Sequence, residues 1–297
     1  MKKKETYKVL IAGAGSYIGT ALEEELLKKS EQYEVVVLDM KNKDWRKHSL
    51  KSYDSIVFVA GLVHRKEQRG ELARYRQVNT LLPIEMAEKA KHAGVGQFIF
   101  LSSMSVYGKQ RGRITREDTP KPNSYYGRTK WEAEQGLQKM EEAFNKSGKS
   151  FQVAILRPPM VYGKGCKGNY PRLRRLVLNI PLFPNYPNYR SMIYIGNLTA
   201  VLEQIIRTGK GGLYTPQNTE YVSTKQMVEE VAAYHQKKII FSRLFYPFIR
   251  LLEKRSSLVQ KVFGDLVYTQ GMNVDRSWLP YRDFAETIRL TEREGVQ

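Results

Sequence analysis

The sequence predicts an α/β protein built on a doubly wound parallel sheet, with a smaller C-terminal substrate-binding subdomain. Three observations support this fold class. Short apolar runs alternate with helical patterns over roughly the first half of the chain, the first run ends in a glycine-rich turn, and a helical pattern follows that turn at once. Alternation of this kind is typical of parallel sheets covered by helices on both faces.

Five apolar runs predict the buried strands of this sheet. They are rich in Val and Ile and almost continuously apolar, as parallel strands covered on both faces tend to be. The runs are Tyr7–Gly13, Tyr33–Asp39, Ser55–Gly61, Gln97–Ser103 and Phe151–Pro158. The helical patterns between them are Ile18–Lys29, Leu81–Ala93 and Tyr125–Asn145.

The amino-acid composition changes after about residue 160, where Gly, Pro, Asn and Tyr become frequent. Such stretches predict long loops, which in compact domains often bind ligands. We therefore expect residues 1–162 to form the nucleotide-binding domain and residues 163–297 to form mainly the subdomain, with Asn197–Tyr214 returning to the first. Ser223–His235 is a predicted helix with Ser223 as its N-cap.

The segment Phe241–Phe263 mixes apolar and basic residues, and two interpretations are open. It could be an amphipathic surface helix that rests on a membrane. Pro247 interrupts the pattern, and packing onto the core is the preferred interpretation, so membrane contact is not expected.

Composition limits the function classes. The formal net charge is +19, and the first interpretation is a lysine-rich surface, followed by attraction for anionic substrates and then for a membrane. Nucleic acid comes last, because the basic residues are spread along the chain.

One cysteine, Cys166, and four unclustered histidines predict no internal disulfide and no metal site. With no predicted leader or membrane span, a cytoplasmic protein is expected.

The turn "GAGSYIG" between the first strand and the first helix predicts a dinucleotide site of the Rossmann type. Gly13 permits the tight turn, Gly15 lets the backbone approach a pyrophosphate, and Gly19 allows close helix packing. The helix N-terminus, beginning at Ser16, Tyr17 and Ile18, then faces the phosphates.

The second strand ends at Asp39, followed by Met40, twenty residues past Gly19. A carboxylate there accepts hydrogen bonds from the adenosine ribose diol and repels a 2′-phosphate, which favours NAD over NADP.

The stretch "SYYGRTK" predicts an acid–base pair. On a helix, Tyr126 and Lys130 are four residues apart and share a face, whereas Tyr125 does not face Lys130. An ammonium near a phenol favours the phenolate and lowers the phenol pKa, giving a proton acceptor for an alcohol or a donor for a ketone. The same spacing is also common in surface pairs.

A second element lies upstream, in "FLSSMSVYG" at the end of the fourth run. Ligands of open α/β sheets bind at the carboxyl ends of the strands. Ser102, Ser103 and Ser105 therefore lie where a nicotinamide could bind, and a serine hydroxyl there could hydrogen-bond the reacting oxygen.

At this point the chain resembles an extended short-chain dehydrogenase/reductase of the NAD-dependent epimerase/dehydratase family, near the nucleotide-sugar 4-epimerases. The matching pieces, from about residue 7 to 200, are "GAGSYIG", Asp39, "VAGL", Asn79, "SSMSVYG", "YYGRTK", "RPPMVYGKG" and "RSMIYIGNL".

The resemblance implies roles at matching positions. Tyr126 would be the catalytic acid and base, Lys130 would hold the nicotinamide ribose, and Ser103 would be the catalytic serine and contact the substrate. Four residues would lie along the cofactor, and two would bind the substrate nucleotide. The cofactor residues are Ala60, Gly61, Asn79 and Pro159, and the substrate residues are Arg190 and, with weaker support, Asn169. Guanidinium geometry suits the diphosphate contact given to Arg190.

Four departures from the family pattern affect the expected function. Ser16 stands where a second glycine is usual, Met160 replaces a substrate-holding asparagine, and Gly196 replaces a frequent aspartate. A sugar 4,6-dehydratase would carry an Asp-Glu pair after its catalytic serine, and Met104 and Ser105 stand there instead. Dehydration is therefore not expected.

The preferred interpretation is an NAD-dependent 4-epimerase acting on UDP-hexoses or their N-acetyl forms, in polysaccharide biosynthesis. A 4-ketoreductase or dehydrogenase is the alternative, and a non-catalytic dinucleotide sensor is a third possibility. We also expect a homodimer held by a four-helix bundle, in which a second apolar stripe on two helices meets a partner. On the first helix, Ile84, Ala87 and Lys91 form one stripe, and Met86 and Ala90 lie on a neighbouring stripe. The second helix offers Trp131, Leu137, Met140 and Phe144. The alternative is that the core of one subunit absorbs all of these residues.

Overall fold

The computed structural model of the chain describes residues 6–63, 67–68, 70–253, 255–272 and 274–293. Its strands are β1 Tyr7–Ala12, β2 Tyr33–Leu38, β3 Ser55–Phe58, β4 Gln97–Leu101, β5 Gly112–Ile114, β6 Gln152–Leu156, β7 Met160–Tyr162, β8 Leu182–Pro184, β9 Met192–Tyr194, β10 Gly212–Tyr214, β11 Ile240–Ser242 and β12 Leu266–Tyr268. Its helices are α1 Tyr17–Leu27, α2 Leu72–Arg76, α3 Leu82–His92, α4 Tyr125–Lys146, α5 Asn169–Asn179, α6 Ile195–Thr208, α7 Thr224–Tyr234, α8 Tyr246–Glu253, α9 Ser257–Phe263 and α10 Phe284–Glu292.

The described chain divides into two compact units. The first lies within Met1–Gly108, Thr119–Pro158 and Thr199–Pro216, and the second within Lys109–Asp118, Pro159–Leu198 and Gln217–Gln297. The short segment Lys109–Asp118 therefore belongs to the second unit, although it comes before residue 162.

The first unit contains a six-stranded parallel sheet in the order β10-β6-β4-β3-β1-β2. Its five longer strands are the five predicted apolar runs, and the predicted fold class is confirmed. The interior strands β3 and β4 are buried at every residue, which explains why their sequences are continuously apolar rather than alternating. The sixth strand, β10, has only three residues and gave no such signal.

The second unit contains three two-stranded parallel pairs, β11-β8, β12-β5 and β7-β9. Helix α7 begins after Ser223, whose hydroxyl accepts a hydrogen bond from the Gln226 amide, while the Gln226 side chain accepts one from the Ser223 amide. This reciprocal capping box confirms the predicted N-cap.

The segment Phe241–Phe263 is not one helix. It consists of the end of β11, a turn at Arg243–Phe245, α8 and α9. The expectation that it packs onto the core holds for Ile249, which is buried, but not for its neighbours Phe248 and Leu251, which are exposed. Helix α8 carries apolar residues both on the side that faces the protein and on the side that faces solvent. The sequence pattern alone does not show which of them are buried. Nowhere in the described residues does a helix have the length and apolarity to cross a bilayer.

The apolar stripe expected to face a partner is largely in the core of the first unit. Ala87, Ala90, Leu137 and Met140 belong to its hydrophobic cluster, and Ile84 and Phe144 pack against that cluster. Helices α3 and α4 pack side by side on the sheet, so both stripes are used within one chain. This burial favours the alternative that the core of one chain absorbs these residues, and the homodimer stays a prediction.

Candidate active site

The glycine-rich turn joins β1 to α1 at the carboxyl edge of the sheet. Gly13 has a φ of 139°, and a Cβ atom there would lie 2.8 Å from the backbone nitrogen of Ala60. A Cβ atom on Gly19 would lie 2.5 Å from the Ser16 hydroxyl oxygen, which caps α1 by accepting a hydrogen bond from the Gly19 amide. Both glycines are therefore needed for close packing inside the turn.

Gly15 differs from these two positions. Its φ is 69°, and a Cβ atom there would meet no other atom within 4 Å. Open space thus lies at the start of α1, and the N-terminus of a helix favours a bound anion. The turn fits a dinucleotide pyrophosphate, and when NAD is bound these residues would hold it.

Asp39 follows β2 directly and is exposed, while Met40 after it is buried. The amides of Gly13 and Ala14 donate to the Leu38 carbonyl, at 2.9 and 3.2 Å, so the glycine turn and Asp39 lie at the ends of neighbouring strands. This placement suits a carboxylate that binds a ribose diol.

Asn79 holds the loop that follows β3. It is fully buried, its Oδ1 accepts a hydrogen bond from the Leu62 amide at 2.8 Å, and its Nδ2 donates to the Leu62 carbonyl at 3.2 Å. A Cβ atom on Gly61 would lie 3.2 Å from Asn79 Oδ1 and 3.4 Å from Lys130 Nζ. Asn79 therefore shapes Ala60 and Gly61, the part of the loop expected along the cofactor.

All three expected catalytic residues, Ser103, Tyr126 and Lys130, lie in the first unit. Ser103 begins the turn after β4, and its side chain lies near enough to the Tyr126 phenol to lower the pKa of that phenol. Lys130, one helical turn further along α4, is buried; its Nζ donates to the Leu101 carbonyl at 2.7 Å and lies 4.5 Å from the centre of the Phe100 ring. The cluster therefore meets the carboxyl end of β4.

The pKa of Tyr126 is the reverse of the sequence expectation. Burial raises it to about 12, although the nearby Ser103 side chain opposes the rise. Burial also lowers the pKa of Lys130 to about 7, against the opposing charge of Glu134. Lys130 is directed at the Leu101 carbonyl and loses much of its positive charge near neutral pH, so it does not offset the burial of the phenol.

Tyr125 has a different environment from Tyr126. Its ring meets the Tyr75 ring edge-on at a centroid distance of 6.2 Å. The glycine after the two tyrosines has a structural role, because a Cβ atom on Gly127 would lie 2.5 Å from the Ser105 carbonyl oxygen. Gly127 thus lets the start of α4 approach the serine turn, which brings Tyr126 to Ser103.

A buried ion pair supports this cluster, and the sequence analysis missed it. Arg157, at the end of β6, donates from Nε to both Glu134 carboxylate oxygens at 3.1 and 3.0 Å and from Nη1 to the Tyr107 hydroxyl at 2.7 Å. The Ser102 hydroxyl donates to the same carboxylate. The pair joins α4 to the ends of β4 and β6. Its only sequence signal is Glu134 at helical spacing from Lys130.

Glu67 is the other residue that was missed. Its carboxylate accepts hydrogen bonds from the backbone amides of Tyr125 and Tyr126, so it caps the start of α4. No periodic pattern in the sequence identifies a cap supplied from so far along the chain.

The second unit brings together the two expected substrate residues, while Pro159 lies buried at its start, directly before β7. Arg190 and Asn169 line one cavity of about 50 Å³, with Met160 also in its wall. Arg190 donates from Nη1 to the carbonyls of Gly264 at 2.8 Å and Gln260 at 3.3 Å, and burial lowers the pKa of its guanidinium. The cavity is far smaller than the several hundred Å³ of a typical ligand pocket, so a nucleotide would have to widen it.

Gly196, also in this unit, shows why the frequent aspartate is absent. A Cβ atom there would lie 2.7 Å from the rings of both Tyr194 and Tyr281. No larger side chain fits between these two rings without displacing one of them.

A parallel sheet with a glycine turn after β1 and a Ser-Tyr-Lys cluster after β4 defines an extended short-chain dehydrogenase/reductase. The chain belongs to the NAD dependent epimerase/dehydratase family, whose model matches residues 9–214. It is therefore an NAD-dependent epimerase or a related oxidoreductase.

Known relatives agree with this placement. The chain is 28% identical to a UDP-glucose 4-epimerase of Vibrio cholerae over 326 aligned residues, covering 99% of this chain and 97% of the relative. It is 25% identical to an N-acetyl-alpha-D-glucosaminyl-diphospho-ditrans,octacis-undecaprenol 4-epimerase of Escherichia coli O157:H7, covering 90% of this chain and 84% of the relative. The crystal structure of a Bacillus cereus UDP-glucuronic acid 4-epimerase with NAD shares the fold, with a TM-score of 0.73 at 20% identity, covering 95% of this chain and 96% of that one.

Proposed function

We propose that the protein is an NAD-dependent epimerase that inverts C4 of a nucleotide sugar, a UDP-hexose or UDP-N-acetylhexosamine, through a transient 4-keto sugar. The observation that carries the proposal is the cluster of Ser103, Tyr126 and Lys130 at the carboxyl end of β4. Membership of the family and the 4-epimerase activity named for both curated relatives support it.

Tyr126 is the proposed acid and base. With a pKa of about 12 it is a protonated phenol near neutral pH, ready to donate to the oxygen of a 4-keto sugar. To accept the proton of a 4-hydroxyl group it must become a phenolate, which requires positive charge nearby. Lys130 is directed at the Leu101 carbonyl and its pKa is lowered to about 7, so a bound cationic cofactor would have to supply most of that charge.

The cofactor and Ser103 are the other proposed participants in the reaction. NAD, if bound by the glycine turn, would supply a hydride acceptor and donor for C4 of the sugar, with no net redox change over a turnover. Ser103, whose side chain influences the Tyr126 phenol, would hold the same C4 oxygen during both proton transfers. The 4-keto sugar must turn over between them so that its other face receives the hydride.

Arg190 and Asn169 are the proposed contacts of the substrate nucleotide. Arg190 is half-buried, and an anionic diphosphate would offset the partial burial that lowers the pKa of its guanidinium. Met160 in the same cavity wall offers no hydrogen bond to a sugar hydroxyl, so sugar orientation must depend on other contacts.

Two alternatives use the same fold. A 4-ketoreductase or dehydrogenase would use the same residues but exchange its cofactor at each turnover, whereas a dinucleotide sensor would not need them. Denaturing the freshly purified protein and separating the released nucleotides tests the difference. The epimerase proposal predicts nearly one NAD per chain; an empty site in fully folded protein would favour the reductase.

A second candidate substrate is a sugar whose diphosphate is carried by a polyprenyl lipid, as in the name of the Escherichia coli relative. The observation that favours it is the set of exposed apolar side chains on and before α8, including Leu244 and Phe248. Supplying UDP-linked and lipid-linked forms of one sugar separately would decide between the two carriers.

A further inference from the structure

An outward apolar stripe runs along α8 and the turn before it. Leu244, Phe248, Leu251 and Leu252 are 82, 67, 56 and 48% exposed. Their spacing of four, seven and eight residues from the first places them on one side of a helix. We call these four residues the α8 stripe. Ile249, 6% exposed, faces the protein instead, so α8 is apolar both inward and outward.

Exposed apolar residues are common one at a time, but a continuous exposed stripe marks an interaction surface. The surrounding sequence shows which kind. Residues 236–264 contain seven Lys or Arg and one Glu, a net charge of +6. Arg243, Arg250 and Arg255 are exposed beside the stripe, and Tyr246 is partly exposed at the start of the helix.

We propose that the α8 stripe lies in the interface of an anionic lipid bilayer. Leu and Phe side chains would enter the boundary of the acyl chains, while the arginines on the flanks would meet lipid phosphates. Tyrosine is well suited to the headgroup level, because its ring is apolar and its hydroxyl polar. A second copy of this chain is a poorer occupant, since a symmetric contact would oppose two segments of charge +6.

The bilayer contact would lie close in sequence and structure to the cavity that holds Arg190. Helix α8 leads into α9, whose Val262 lines that cavity. The Val262 carbonyl accepts hydrogen bonds from Thr224 and, at 3.3 Å, from Asn188, which fix α9 to its surroundings. A substrate carried by the membrane would then meet a protein whose α9, the helix that follows α8, forms part of the cavity wall. The docking itself does not depend on the reaction proposed above.

Vesicle flotation tests the proposal without any measurement of activity. Wild-type protein is mixed with vesicles of phosphatidylcholine alone or with about one third phosphatidylglycerol, then floated through a density gradient. We expect the protein to float with the anionic vesicles and to remain behind with the neutral ones. High salt should reduce the bound fraction, because it screens the arginine contacts.

Two single variants separate the stripe from general charge attraction. Leu251→Glu changes a stripe residue that is 56% exposed, and Leu27→Glu changes a leucine on α1 that is 51% exposed, so the two add the same charge at similar exposure. We expect at least a tenfold loss of vesicle binding for Leu251→Glu and wild-type binding for Leu27→Glu. Thermal melts of both variants confirm folding.

Three results would overturn the proposal. Wild-type protein that stays behind with anionic vesicles removes the membrane as occupant. Equal losses in the two variants mean that charge alone drives binding. A wild-type dimer in light scattering that Leu251→Glu converts to monomer, with vesicle binding unchanged, assigns the stripe to self-association.

Discussion

Glu67 is bound to the backbone of the candidate catalytic residue Tyr126: its Oε1 accepts a hydrogen bond from the Tyr126 amide at 2.9 Å, and its Oε2 accepts one from the Tyr125 amide at 2.9 Å. The carboxylate thus satisfies two amides at the start of α4, where the helix dipole favours negative charge. It fixes the turn that carries the phenol.

Replacing this cap should disturb catalysis more than cofactor binding. We expect Glu67→Ala to cost about 1 kcal/mol of folding free energy, as lost helix caps do, and to lower kcat roughly tenfold. Glu67→Gln, which keeps one acceptor, should have a smaller effect. Glu71→Ala, in the same loop, is the control. An unchanged kcat in Glu67→Ala would show that the cap does not position Tyr126.

The two neighbouring tyrosines should differ sharply in their importance. Tyr126→Phe removes the proton-transfer oxygen and should lower kcat by about 10²-fold or more, with folding and NAD binding nearly unchanged. Tyr125→Phe keeps the ring that packs on Tyr75 and should do much less. Steady-state kinetics on both variants test this. Greater damage from Tyr125→Phe would mean that the proton-transfer residue has been misassigned.

Asp39 should set the cofactor preference. Changing it to Ala or Ser is expected to weaken NAD binding and to relax the bias against NADP, because a negative charge near the 2′ position disappears. Asp39→Asn is the matched control, since it keeps a hydrogen-bond acceptor and loses only the charge. Titration of both cofactors into apo protein measures the preference. A wild-type protein that already prefers NADP would refute the assignment.

Lys130 should make folding stability depend on pH. Its pKa falls from 10.5 to about 7 on burial, so between these values the unfolded chain holds a proton that the folded protein has released. Stability therefore rises with pH across this window, and the burial penalty is largest below pH 7. We expect Lys130→Met to raise Tm at pH 6 and to lose most of that gain by about pH 10.

Thermal melts at several pH values measure this effect. Lys139→Met, at an exposed position of the same helix, is the control and should show no such trend. A difference between Lys130→Met and wild type that stays constant with pH would mean that Lys130 is not deprotonated on folding.

Periodicity made the sheet predictable from the sequence. Strands buried on both faces leave continuous apolar runs, and β3 and β4 are the clearest examples. Helical spacing predicted that Lys130 pairs with Tyr126 and not with Tyr125. In the structure Lys130 donates to the Leu101 carbonyl, so its pairing with Tyr126 stays a prediction.

Properties that depend on distant residues were beyond a local pattern. The Glu134–Arg157 pair and the Glu67 cap join residues far apart in the chain. Burial also reversed the direction of the Tyr126 pKa shift. The low-dielectric environment of the phenol raises its pKa and outweighs the lysine that was expected to lower it. The same applies to Leu137 and Met140, whose stripe is absorbed by the core of this chain.

The most direct test of the proposed function uses UDP-sugars labelled with deuterium at C4. Purified protein is incubated with UDP-hexoses and UDP-N-acetylhexosamines one at a time. The products are separated by chromatography, and mass spectrometry measures their deuterium content. We predict that at least one sugar is converted to its C4 epimer, that the deuterium stays at C4, and that no NADH accumulates, while Tyr126→Phe forms no product. Failure of every sugar to epimerise, or passage of the deuterium into released NADH, would contradict the account.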